Sequence, residues 1–120
     1  KAQDEKGKWS YPGGAIKFGE TFEESIKREM KEEFAIEVQP IEQLETFNHL
    51  IPQDKQHWVA VAYICKLIKG KPKILEPEKE EEIGWFTIQE TEKLSLSLVA
   101  KNRLKQLKER YPYGVNFSKY

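Results

Sequence analysis

Apolar residues return at every fourth position from Phe22 through Ile26 and Met30 to Phe34, which lays one buried stripe along a helix over Thr21 to Phe34. Thr21 followed by Glu24 adds a start signal. The threonine hydroxyl can accept a first-turn N–H while the glutamate reaches back to the threonine N–H. Ala100, Leu104 and Leu107 predict a second amphipathic helix from Ser97 to Arg110. Between the helices the period shortens. Ile36 to Val38 and Leu44 to Ile51 read as strands separated by Pro40, with Pro52 to Gln56 as the loop that follows. His57 to Leu67 reads as the strongest strand. Val59, Val61 and Tyr63 fall on one face and Trp58, Ala60, Ala62 and Ile64 on the other, so cover is expected on both sides. Lys8 to Pro12 reads as a strand end running into Gly13-Gly14, and Ile83 to Ile88 as a short strand after the solvated acidic run Glu76 to Glu82. Striped helices beside a doubly covered strand imply a sheet between helices, an α/β or α+β layered domain. The 120 residues suit one such domain over residues 1–120.

Charge narrows the partners. Twenty basic and 20 acidic residues cancel, so no net positive field draws the chain to a nucleic-acid polymer or an anionic membrane, and a small ligand is expected. No apolar run approaches the roughly 18 residues of a membrane span, and no signal-peptide pattern opens the chain, so a cytoplasmic protein is the default expectation. The lone Cys65 lies in an apolar run and reads as a structural thiol.

The first helix also carries the candidate chemistry. Glu29, Glu32 and Glu33 stand at i, i+3 and i+4, which places them on one patch about 100° wide. With Phe22 at zero, the apolar stripe spans about 0–120°, Lys27 and Lys31 lie near 140–180°, and the three acids lie near 280–20°. They cluster at the border of the buried stripe, away from both lysines. Hard oxygen ligands beside an apolar wall suit Mg²⁺ or Mn²⁺, though an acidic solvated face has the same spacing.

The wider pattern supplies what spacing alone does not. Gly14, five residues, Glu20, seven residues, then Arg28-Glu29-Met30-Lys31-Glu32-Glu33-Phe34-Ala35-Ile36 resembles the Nudix box, Gly-x5-Glu-x7-Arg-Glu-U-x-Glu-Glu-x-Gly-U, at eight of nine specified positions. Chance matches at this composition are on the order of 10⁻⁵. Trp9 to Gly14 before the box, and Glu76-Pro-Glu-Lys ahead of Trp85-Phe86 after it, resemble the same family. The look is closest to small MutT-like members and nucleoside-triphosphate diphosphatases. One departure is Ala35 where the box has Gly, at a helix end where positive φ costs alanine about 1–2 kcal/mol.

The resemblance implies a Nudix-like α/β/α sandwich with a mixed sheet. That fold has one or two strands before the Trp-x-x-Pro-Gly-Gly stretch, so part of the sheet is expected upstream of Lys1. It implies Glu29, Glu32 and Glu33 as ligands of Mg²⁺ or Mn²⁺, with the Gly13 carbonyl as a further ligand, Gly13 and Gly14 at the substrate, and Arg28 orienting the glutamates. The metal would neutralise a diphosphate and lower the pKa of an attacking water, releasing a nucleoside monophosphate. The general base would be a box glutamate or a carboxylate of the acidic loop, Glu78 favoured over Glu76 and Glu80. Glu20 reads as a brace, His49 and His57 as bystanders, and Trp9, Phe18 and Phe47 as core residues more readily than base-stacking ones. The leading substrate is a nucleoside triphosphate. ADP-ribose or a nucleotide sugar is the alternative, a non-catalytic nucleotide-sensing module is a second, and a homodimer is left open.

Overall fold

A computed structural model describes residues 7–78 and 82–115. Two compact units emerge, one built mainly from residues 12–83 and one from residues up to 11 together with those from 84 onward.

In the first unit, α1 (Phe22–Phe34) begins where the sequence signal put it. Thr21 Oγ1 accepts the Glu24 N–H at 3.1 Å, and Glu24 Oε1 accepts the Thr21 N–H at 2.8 Å, closing the capping box. The helix ends on Ala35 at φ 59° and ψ 34°, left-handed without a glycine. Its N–H donates to the Lys31 carbonyl at 3.1 Å. Met30 and Phe34 then bury against Ile36 and Val38, with Ile26, Cys65 and Ile83 around them.

Two antiparallel pairs complete this unit. β1 (Glu37–Gln43) pairs with β4 (Tyr63–Lys69), and β2 (Phe47–Ile51) pairs with β3 (Gln56–Ala60) in register Phe47 with Ala60 through Ile51 with Gln56. Pro40 was expected to separate strands and instead lies within β1. Its register shifts between Pro40 and Glu42, the kind of irregularity at which a strand accommodates a residue without an N–H. The single strand expected over His57 to Leu67 is two, broken at Val61-Ala62, although the Ala62 carbonyl still accepts the Leu44 N–H at 2.8 Å. The break explains why double cover is not needed. β3 stands out with β2 as a hairpin whose Trp58 and Val59 are exposed, whereas β4 carries Cys65 to the α1 core.

In the second unit, Trp9 bridges in parallel to Leu96 through N–H···O bonds of 2.7 and 2.9 Å to Ser95 and Ser97. α3 (Leu98–Arg110) starts at Ser97, whose Oγ accepts the Ala100 N–H, and buries Ala100 and Leu104 against Leu96, Trp9, Ile88 and Leu94. Trp9 meets Phe86 edge to face at 5.0 Å. The strand expected over Ile83 to Ile88 is not formed. A second capping box, Thr87 with Glu90, starts the short helix α2 (Ile88–Thr91) there instead. No helix among the described residues is long and apolar enough to cross a membrane.

Candidate active site

Arg28 is the hub of the first unit's polar face. Its Nε and Nη2 donate to Glu20 Oε2 and Oε1 at 2.7 and 3.0 Å, its Nη1 to Glu29 Oε1 at 3.0 Å and Glu32 Oε2 at 3.2 Å, and its Nη2 also to the Ala15 carbonyl at 3.0 Å. A guanidinium carries five N–H donors, so this one is fully committed. The two-point contact with Glu20 is the stronger attachment, because paired charged bonds fix both distance and plane. It raises the pKa of Arg28 further above its ordinary value and holds the Glu20 carboxyl below its own, with the Lys17 N–H at 2.7 Å assisting. Glu20, expected as a brace, is one.

The glycine loop explains itself at one position. A Cβ on Gly14 would overlap the Glu29 carboxylate, so only a bare backbone lets that acid sit against the loop. Gly13 is exposed beside it.

The three expected metal ligands are not yet gathered. Glu29 and Glu32 meet through Arg28, their side chains 13% and 51% exposed. Glu33 is buried at 4% and contributes its backbone carbonyl to the Leu75 N–H at 3.0 Å. No group of three or more His, Cys, Asp or Glu side chains close enough to hold a metal forms among the described residues. The physical reason is charge. Acids three and four positions apart repel unless a cation lies between them, and here a guanidinium has that place for two of the three. The donor set nonetheless fits a hard divalent ion in kind, with carboxylate oxygens on one helix face and a side-chain-free loop against one of them.

The acidic loop is tethered at its start. Lys73 N–H donates to the Phe34 carbonyl at 3.1 Å and Leu75 N–H to that of Glu33, so the chain runs past the end of α1 immediately before Glu76. Glu76 is half-buried and Glu78 lies exposed in a turn; Glu80 falls outside the described residues. Cys65 is half-buried, and burial pushes its thiol up to about 11, which suits the structural reading. His57 Nε2 and Asn48 Oδ1 are 2.8 Å apart on the exposed hairpin, with no acid in the pair. Sequence reasoning misplaced Phe18, which favoured the core and is fully exposed.

Residues 1–108 match the NUDIX domain family. A Caenorhabditis elegans protein provisionally named a nudix hydrolase is 28% identical over 109 residues, covering 90% of this chain and 28% of that protein. An ADP-ribose pyrophosphatase of Methanocaldococcus jannaschii is 31% identical over 77 residues, covering 64% of this chain and 46% of the enzyme. The chain thus spans less than half the length of these curated relatives. The crystal structure of a MutT NUDIX hydrolase from Burkholderia pseudomallei superposes with a TM-score of 0.73 at 29% identity, covering 80% of this chain and 74% of that one. The chain belongs to the NUDIX domain family and has its mixed α and β fold, as the box predicted.

Proposed function

We propose that this Nudix-family chain is a cytoplasmic hydrolase domain that cleaves the diphosphate linkage of a nucleoside triphosphate or a related nucleoside diphosphate derivative, releasing a nucleoside monophosphate. The observation that carries the reading is the Arg28 hub, which ties Glu20, Glu29 and Glu32 to the glycine loop in a single hydrogen-bonded unit. Glu29, Glu32 and Glu33, with the Gly13 carbonyl, would hold Mg²⁺ or Mn²⁺. When bound, that ion supplies charge neutralisation for the diphosphate and Lewis-acid activation of the attacking water.

The chain's own residues do the rest. Arg28 keeps Glu29 and Glu32 oriented while Glu20 keeps Arg28 in place. Gly13 and Gly14, having no side chains, let the diphosphate approach Glu29 closely. A carboxylate oxygen of the acidic loop takes the proton of the attacking water, Glu78 in preference to Glu76. The substrate is a small molecule, and neither a nucleic-acid polymer nor a membrane takes part.

A second substrate reading has its own support. The similarity to an ADP-ribose pyrophosphatase favours ADP-ribose or a nucleotide sugar. Incubating the protein with nucleoside triphosphates, ADP-ribose and nucleotide sugars in Mg²⁺, and measuring monophosphate release, separates the two. Replacing Glu32 and Glu33 by Gln should lower every activity found by about 10²-fold or more. Undiminished hydrolysis in that variant would refute the catalytic assignment. No hydrolysis by the unaltered protein, with nucleotide binding intact, would favour a sensing module.

A further inference from the structure

Phe18 is the most exposed large apolar residue in the unit that carries the Arg28 hub, at 107% relative exposure. A ring of that size left wholly in water forgoes the gain that burial offers, a gain that a bound aromatic ligand would recover. It does not hang from a loose loop. Glu20 N–H donates to the Lys17 carbonyl at 3.1 Å, closing a four-residue turn with Phe18 at its second position, and Gly19 supplies the positive φ of 87° at the third. The Lys17 N–H donates back to Glu20 Oε1, so the turn is closed twice.

The same Glu20 carboxylate grips Arg28 at two points, and Arg28 holds Glu29, Glu32 and the Ala15 carbonyl. The ring therefore projects from a turn locked on both sides to the carboxylate cluster. Two residues of chain reach at most about 7 Å, which keeps the Phe18 backbone close to that of Glu20. Ile16 and Phe22, both about half exposed, add apolar surface on either side of the turn. Trp58, the other strongly exposed aromatic of this unit, donates its indole N–H to Gln56 within its own strand.

A nucleotide has a charged phosphate end and a flat aromatic end, and a site for one needs both kinds of surface within one molecule's reach. We propose that Phe18 is the residue on which the nucleobase stacks while the phosphates lie at the carboxylate cluster. This rests on the nucleotide substrate proposed above and adds the contact that reads its aromatic end. Stacking on one face tolerates any base, since every base offers a π surface, so Phe18 contributes affinity without choosing among bases.

The test is binding, measured apart from turnover. Isothermal titration with AMP, UMP and ribose 5-phosphate in Mg²⁺ compares the unaltered protein with Phe18→Ala and Phe18→Trp. Phe18→Ala should weaken AMP and UMP each by about 5- to 150-fold and ribose 5-phosphate by under about twofold, with Phe18→Trp restoring AMP. AMP binding unchanged by Phe18→Ala, or AMP and ribose 5-phosphate weakened alike, would overturn the proposal. So would a change in oligomeric state on Phe18→Ala, read by sedimentation, because the ring would then be covered by a second copy of the chain. If hydrolysis of the nucleotide panel succeeds while Phe18→Ala leaves AMP affinity intact, the stacking proposal fails alone. If the unaltered protein neither binds monophosphates nor cleaves the panel, both readings fail. Circular dichroism of each variant checks folding, which an exposed turn position should leave undisturbed.

Discussion

Replacing Ala35 by Gly should stabilise the protein. Ala35 sits at φ 59° and ψ 34°, where a Cβ crowds the following carbonyl at a cost of about 1–2 kcal/mol that glycine does not bear. Glycine also enlarges the conformational freedom of the unfolded chain, which returns about 0.4–1 kcal/mol of that gain. The net expectation is about 0.5–1 kcal/mol of added stability. At this chain length it corresponds to a rise in Tm of roughly 2–5 °C. The hydrogen bonds at the turn need not change, because both are made by backbone atoms, Ala35 N–H to Lys31 and Ile36 N–H to the Met30 carbonyl at 3.4 Å. Urea unfolding followed by tryptophan emission, with the m-value compared, is the assay. Asparagine, which visits the left-handed region more readily than alanine, should fall between the two. A urea midpoint for Ala35→Gly equal to or below that of the unaltered protein, at the same m-value, would show that the helix end stores no such strain.

Three further outcomes follow from the structure. Gly14→Ala puts a methyl where the Glu29 carboxylate lies; a flexible side-chain end can swing away, so stability should change by under about 1 kcal/mol while hydrolysis falls about 10- to 100-fold, and equal activity would contradict the cradle. Because Arg28 holds the Glu20 carboxyl below its ordinary pKa of 4.5, the stabilisation from Glu20 is fully present above that pH and is lost as pH falls through the lowered value; Glu20→Gln should therefore flatten the acid limb of a Tm-against-pH curve, and parallel curves would count against the linkage. With its thiol pushed up to about 11, Cys65 should react with a disulfide reagent at pH 8 far more slowly than free cysteine, and reaction at the free rate would place it at an accessible surface.

Where local chemistry marked a boundary, the sequence was enough. Thr21 with Glu24 and Ser97 are side-chain caps, and α1 and α3 begin one residue after them. Thr87 with Glu90 is the same signal and overrode the apolar run that suggested a strand over Ile83 to Ile88. The break at Val61-Ala62 carried no such mark, because an uninterrupted apolar run contains no turn residue and no register information. The box spacing singled out Arg28, Glu29, Glu32 and Glu33 as candidates. It could not convey that Arg28 would spend all five donors or that Glu33 would turn inward, since both depend on side-chain rotamers that spacing does not fix. Phe18 was misjudged for a related reason: a large apolar side chain is usually buried, and only the doubly closed turn holds this one out.

The central claim is that α1 offers its acids, Glu29, Glu32 and Glu33, to a divalent ion. Titrating Mn²⁺ into the protein and following free Mn²⁺ by electron paramagnetic resonance tests it without reliance on any substrate. Saturable binding by the unaltered protein, weakened at least about tenfold in Glu29→Gln and in the double variant Glu32→Gln with Glu33→Gln, is the expected result. Binding of equal strength in all three proteins, each shown to be folded, would contradict the account.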